Sequence, residues 1–152
     1  MEYHFKIHKE KSGFSAECIE LEGCRTQGDT MSELEQNMGE ALNLYLAEND
    51  SSMLVFPAPK KNTGKNIVAV GVEPGVAFAM HLRQSRLSLS MTQGQMMQLL
   101  GIKTLSNYQR LEDPKRANPE LKTLAMILKV VPQIKIGNIV GSENAIPKKK
   151  VS

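Results

Sequence analysis

The sequence predicts an α+β fold: a small N-terminal β-sheet plus helix unit, joined to an all-α C-terminal unit. Three observations carry this reading. Residues 2–9 and 14–18 alternate apolar and polar side chains with the period of two expected of half-buried strands. Beyond residue 75 the apolar positions instead recur every three or four residues, the spacing of helices. The charge also changes sign at Glu73-Pro74-Gly75: residues 1–75 hold 7 Lys and Arg against 12 Asp and Glu, residues 76–152 hold 12 against 4. The boundary is therefore expected there, with one unit over 1–73 and the other over 74–152.

The elements follow in order. Tyr3, Phe5 and Ile7 alternate with His4, Lys6 and His8, Lys11-Ser12-Gly13 is a turn, and Phe14, Ala16 and Cys18 alternate again, which makes a hairpin. The segment from Glu22 to Gly28, bracketed by glycines, reads as a turn and a short third strand. Asp29 or Thr30 caps a helix running to about Glu48. Its apolar stripe is Met31, Leu34, Met38, Leu42, Tyr45 and Leu46; Gly39 in mid-helix suggests close approach of another backbone. Residues 49–52 break the helix, Met53 to Pro59 is extended, and the β-branched run Ile67 to Val72 is expected to be a strand buried on both faces. Helices are then expected over Val76–Leu87, with Pro74 near the start, and from Pro119 through Leu121, Leu124, Ala125, Ile127 and Leu128 to a stop at Pro132. Ile134, Ile136, Ile139 and Val140 form a last apolar element, and the tail Pro147-Lys148-Lys149-Lys150 reads as disordered.

Composition narrows the function. No apolar run approaches the ~20 residues that span a bilayer, and Met-Glu-Tyr-His-Phe-Lys opens directly into strand alternation rather than a signal peptide. A cytoplasmic protein is expected. The basic half suits nucleic acid, and the acidic half suits a basic protein. Cys18 and Cys24 read as reduced core or edge residues. His4 and His8 share one side of a strand at ~13 Å, too far apart for one metal, and read as solvated; His81 is expected at the surface. No cofactor or metal is expected.

Residues 90–112 carry the strongest motif. Ser90 or Thr92 caps a short helix, and Thr92 with Gln95 fits a capping box. Met96, Leu99 and Leu100 fall on its inner face, and Gly101 ends it. A second helix spans about Thr104 to Glu112, with Leu105, Tyr108 and Leu111 at spacings of three. Two short helices joined by a tight glycine turn, the second rich in donors, form a helix-turn-helix. Reading DNA requires side chains that reach base edges and phosphates, and Lys103, Thr104, Ser106, Asn107 and Arg110 are of those types.

Thr92-Gln93, Leu99-Leu100-Gly101-Ile102, Tyr108-Gln109-Arg110-Leu111-Glu112, Asn118-Pro119 and Leu121-Lys122-Thr123-Leu124 together resemble the repressor-type (Cro/cI-like) helix-turn-helix family. The resemblance implies that Gln93 and its backbone amide touch a phosphate, because the first motif helix points its positive end at the nucleic-acid backbone. Glu112 follows Gly101 by eleven residues, one more than the family spacing, so the base-facing register stays open by one position.

The N-terminal order of strand, strand, short strand, helix, strand, with Gly13-Phe14, Glu22-Gly23-Cys24, Gln27-Gly28-Asp29-Thr30 and Ala41-Leu42, resembles the HicB family of antitoxins. That resemblance implies a partial ribonuclease-H-like domain ahead of a DNA-binding domain. It also implies a partner of HicA type, a small basic toxin that cleaves mRNA. Glu17, Glu20, Glu22, Asp29 and Glu33, with Glu35 and Glu40 beyond them, are the carboxylates that would complement its positive face. The reading is then a non-enzymatic antitoxin and autorepressor, working as a homodimer or larger. Nuclease chemistry needs clustered carboxylates around two metal ions; Tyr3 to His8 contains none, and Glu17, Glu20 and Glu22 read as surface residues. The alternative is a ligand-sensing repressor, which requires an apolar pocket in the first unit.

Overall fold

Tyr3 and Phe5 anchor the structure from the inner face of β1 (Glu2–Lys9), where both are fully buried. The computed structural model describes residues 1–47 and 55–140. Within them β2 (Phe14–Cys18), β3 (Arg25–Gly28) and β4 (Ile67–Gly71) complete an antiparallel sheet of order β3-β2-β1-β4. Phe5 stands opposite Cys18 and Val68, so one face of the sheet is continuous across three strands. The fold is mixed α+β, as the two periodicities predict.

Helix α1 (Met31–Ala47) covers that face. Its N-terminus is closed by Thr30 rather than Asp29: the Glu33 amide donates to Thr30 Oγ1 at 3.1 Å, and the Glu33 carboxylate accepts from the Asp29 amide at 2.8 Å. Leu34, Met38, Leu42 and Leu46 are buried against Tyr3, Phe5, Ala16 and Cys18; each such leucine contributes about 1.5–3 kcal/mol by leaving water. Met31 is exposed and Tyr45 half-buried, because they lie at the rim of the stripe. Gly39 departs from expectation: a Cβ there would meet nothing within 4 Å. The close approach occurs at Gly28, where a Cβ would stand 2.6 Å from the Leu34 amide nitrogen. β4 departs as well. It is the sheet edge, with Ile67, Val68 and Val70 half-buried and Ala69 exposed, since only one face has a helix over it.

Helix α2 (Pro74–Ser88), with Pro74 in its first turn, feeds two cores at once. Val76, Ala77 and Met80 join the sheet–α1 core, whereas Phe78, Ala79 and Leu82 join a second, helical core. That second core is closed by α3 (Gln93–Leu99), α4 (Leu105–Glu112), α5 (Leu121–Val130) and α6 (Ile136–Val140), with Met96, Leu100, Tyr108, Ile127, Val131, Ile134 and Ile139 buried. Three expected core leucines are instead exposed. Leu99 lies a ~100° step off the Met96–Leu100 stripe, Leu105 opens α4, and Leu121, 83% exposed, projects from the first turn of α5 beyond the buried Ile127. Ala125 is exposed for the same reason as Leu99. His81, expected at the surface, is half-buried on α2, where desolvation lowers its pKa. The helix break at 49–52, the extended Met53-Leu54 and the lysine tail lie outside the described residues.

Candidate functional site

The α3–α4 pair is held by caps at both N-termini. Thr92 accepts from the Gln95 amide at 3.1 Å while Gln95 Oε1 accepts from the Thr92 amide at 2.8 Å, the reciprocal capping box that the spacing predicts. Thr104 caps α4 by accepting from the Asn107 amide at 3.2 Å. Between them Gly101 takes a φ of 67°, which a side chain would strain, so the chain reverses within Leu100–Thr104.

A buried ion pair fixes the angle between these helices and α2. Arg86 donates from Nε to Glu112 at 2.6 Å and from Nη2 at 3.0 Å, with its Nη1 on the Met91 carbonyl. The Tyr108 hydroxyl donates to the same carboxylate, and Gln93 Nε2 adds a further bond at 3.1 Å. Desolvation and the bond to Glu112 push the Tyr108 phenol well above its ordinary range; the bond to Glu112 likewise raises Arg86. Gln109 then donates to Gln93 Oε1 at 3.2 Å, tying α4 to α3 at the surface. Glu112 stands at a position of the helix-turn-helix resemblance, but nothing in the sequence pairs it with Arg86, which lies 26 residues away on α2; only the tertiary fold brings them together.

With the pair fixed, Lys103, Thr104, Ser106, Asn107 and Arg110 are all exposed. Asn107 and Arg110 line an open groove of about 460 Å³ with Arg116, Asn118 and Thr123. Lys103 and Ser106 are outside that lining, and the Thr104 hydroxyl is engaged as a cap. Gln93 sits at the first position of α3, half-buried, with its side chain between Glu112 and Gln109. Arg116 is ion-paired with Asp113, and that contact lowers the Asp113 pKa.

The five N-terminal carboxylates separate into two groups. Glu17, Glu20 and Glu22 border one open groove of about 840 Å³, where Lys6, Arg25 and Lys65 add positive charge. Asp29 and Glu33 belong to the start of α1, and Glu33 is engaged in its cap. Glu17 is exposed and meets His8 Nε2 at 3.3 Å. Glu22 is exposed, and its carbonyl accepts from the Tyr45 hydroxyl at 2.8 Å.

Glu20 corrects the surface reading. Its side chain is only 4% exposed, and it accepts from the His4 amide at 3.0 Å and meets His4 Nδ1 at 2.6 Å, so His4 is not solvated either. Burial opposes its charge, but the His4 amide and imidazole outweigh that and lower its pKa. Cys18 and Cys24 are both buried beside it as free thiols. The interaction of the two thiols, with burial, holds Cys24 well above its usual range, while the same interaction outweighs burial at Cys18 and draws that thiol below its usual range. Among the described residues no group of three or more His, Cys, Asp or Glu stands close enough to hold a metal ion. No described helix is long and apolar enough to cross a membrane.

The chain is 43% identical over 47 residues to a UPF0150 protein of Synechocystis sp., a match covering 29% of this chain and 60% of that protein. The chain thus spans about three fifths of the curated relative it matches. No protein-family model matches the chain.

Proposed function

We propose that this protein is the antitoxin of a type II toxin–antitoxin pair, in which the sheet unit blocks a HicA-like mRNA-cleaving toxin and the helical unit represses the operon that encodes both. The observation that carries the reading is the row of exposed donors on the turn and α4, from Lys103 to Arg110, held at a set angle to α3 by the Arg86–Glu112 pair. Two short capped helices with this turn have the dimensions of a helix-turn-helix, whose second helix enters a major groove. Similarity to a UPF0150 protein, a HicB-like family, supports the antitoxin half, as does the excess of carboxylates over residues 1–75.

Two measurements test the two halves. DNA from upstream of the reading frame should bind in an anisotropy titration, with log Kd rising linearly against log salt. Asn107→Ala or Arg110→Ala should each weaken specific binding by about 1–3 kcal/mol and flatten discrimination at one base position. A Lys103→Ala change should instead weaken all sequences alike and lower the salt slope by about 1. Binding that does not distinguish upstream DNA from random DNA refutes the repressor half. Co-expression with the product of the adjacent small reading frame should rescue growth and yield a stable complex. A harmless neighbour, or one that fails to co-purify, refutes the antitoxin half.

A further inference from the structure

We propose that β4 is a self-association edge: two copies of this chain join their sheets antiparallel along Ile67–Gly71, about a two-fold axis through Ala69. Sheet edges that stay single are normally blunted by charge, proline or cover. The opposite edge is treated in that way. β3 is only four residues long, begins with Arg25, and has its Gln27 carbonyl occupied by the Asn37 side-chain amide at 2.8 Å. β4 has none of these devices. Its five residues, Ile-Val-Ala-Val-Gly, carry no charge and no proline, and among the described residues no strand lies beyond it.

The hydrogen-bond pattern sets the register. The Ile7 amide donates to the Asn66 carbonyl and the Val72 amide to the Met1 carbonyl, so even-numbered residues of this strand turn their backbone groups towards β1. Ile67, Ala69 and Gly71 therefore turn theirs outward. The Ile67 amide is already held by the Gly64 carbonyl at 3.3 Å, which, among the described residues, leaves the Ile67 carbonyl and both groups of Ala69 and Gly71. Pairing centred on Ala69 uses four of these five groups: Ala69 exchanges both bonds with the second copy's Ala69, and the Gly71 amide meets the second copy's Ile67 carbonyl, which leaves the Gly71 carbonyl outside the join. A shift to either side would leave more of the set without a counterpart.

The side chains agree with that register. Val68 and Val70, half-buried on the α1 face, would meet across the join and bury the apolar surface they now expose. On the other face Ile67 would lie over Gly71, where no side chain obstructs it; a Cβ at Gly71 would itself meet nothing within 4 Å. The charges just outside the strand are also self-complementary. Lys65 at one end would approach Glu73 of the second copy at the other, twice by symmetry, and both are exposed. Pro74 opens α2 at the next residue and limits the join to this one strand length. A symmetric edge of this kind is an isologous contact and closes after two copies.

The full chain serves for the test. Ala69→Pro removes an outward amide that makes no bond to β1, a position where edge strands accept proline. Its mass by sedimentation equilibrium should be half that of the unaltered protein, with an unchanged far-ultraviolet dichroism spectrum. Lys65→Glu, a surface change that spares the backbone, should weaken association, and Lys65→Glu with Glu73→Lys should restore it. Ala69→Cys should cross-link to itself on mild oxidation, since directly paired Cα atoms stand about 5.5 Å apart. Ile67→Cys should not, being separated from its own copy by about 14 Å. Unchanged mass in Ala69→Pro, or equal cross-linking at both positions, overturns the proposal. DNA binding is read separately, so the two readings stand or fall independently.

Discussion

Replacing Glu112 with Ala removes the acceptor that joins three helices, and the consequence can be worked from the geometry. The carboxylate takes two bonds from Arg86, one from Tyr108 and one from Gln93, while its side chain is 4% exposed and that of Arg86 is 11% exposed. Without it the guanidinium stays charged in a mostly dry site, with its Nη1 still on the Met91 carbonyl. Breaking a buried pair from one side costs about 3–5 kcal/mol, chiefly because the surviving charge is uncompensated. For a chain of this size that lowers the melting temperature by about 6–20 °C. The chain has no Trp, so far-ultraviolet circular dichroism in a urea titration is the assay. Glu112→Gln, which keeps an acceptor but loses the charge, should fall between the two. The paired change Arg86→Met with Glu112→Leu should recover most of the loss, because no charge is then left buried. If Glu112→Ala lies within ~1 kcal/mol of the unaltered protein, or the paired change is no better than the single one, the pair does not hold the α3–α4 angle in the way described.

Other expectations follow from the same structure. Gly39→Ala should stabilise by up to ~1 kcal/mol, since it improves helix propensity and the added methyl meets open space. Gly28→Ala should destabilise by about 1–3 kcal/mol through overpacking, because its Cβ would press on the α1 backbone; chemical denaturation of the two variants should move in opposite directions. Thr92→Ala should cost ~1 kcal/mol through loss of the cap on α3, measurable in the same titrations. Acid should unfold the sheet unit partly through Glu20. Its folded pKa lies below the ordinary 4.5, so its contribution is present above that value and is lost as pH falls through the lower folded one. Glu20→Gln should flatten the pH dependence of stability in that range while leaving it unchanged at higher pH in slope.

Much of this fold was legible in local chemistry. A period of two needs only alternate side chains facing a core, so β1 and β2 could be read from Tyr3, Phe5, Ala16 and Cys18. The Thr92–Gln95 box and the positive-φ turn at Gly101 are likewise short-range features, satisfied within a few residues. The change of period and charge at Glu73-Pro74-Gly75 marked where strand gives way to helix. Sequence therefore determined the elements, their caps and the α+β class. Tertiary structure decided what each surface faces. β4 became an edge because sheet order is set by pairing between distant strands, which a β-branched run does not encode. Glu20 turned inward because His4 on the neighbouring strand offers it two partners, and an acidic residue with partners can be buried where one without them would stay in water. Arg86, Tyr108 and Glu112 converged for the same reason, from two helices, the first and the last of them 26 positions apart. Burial and partnership are properties of the packed chain, and they arise only when distant residues share one small volume.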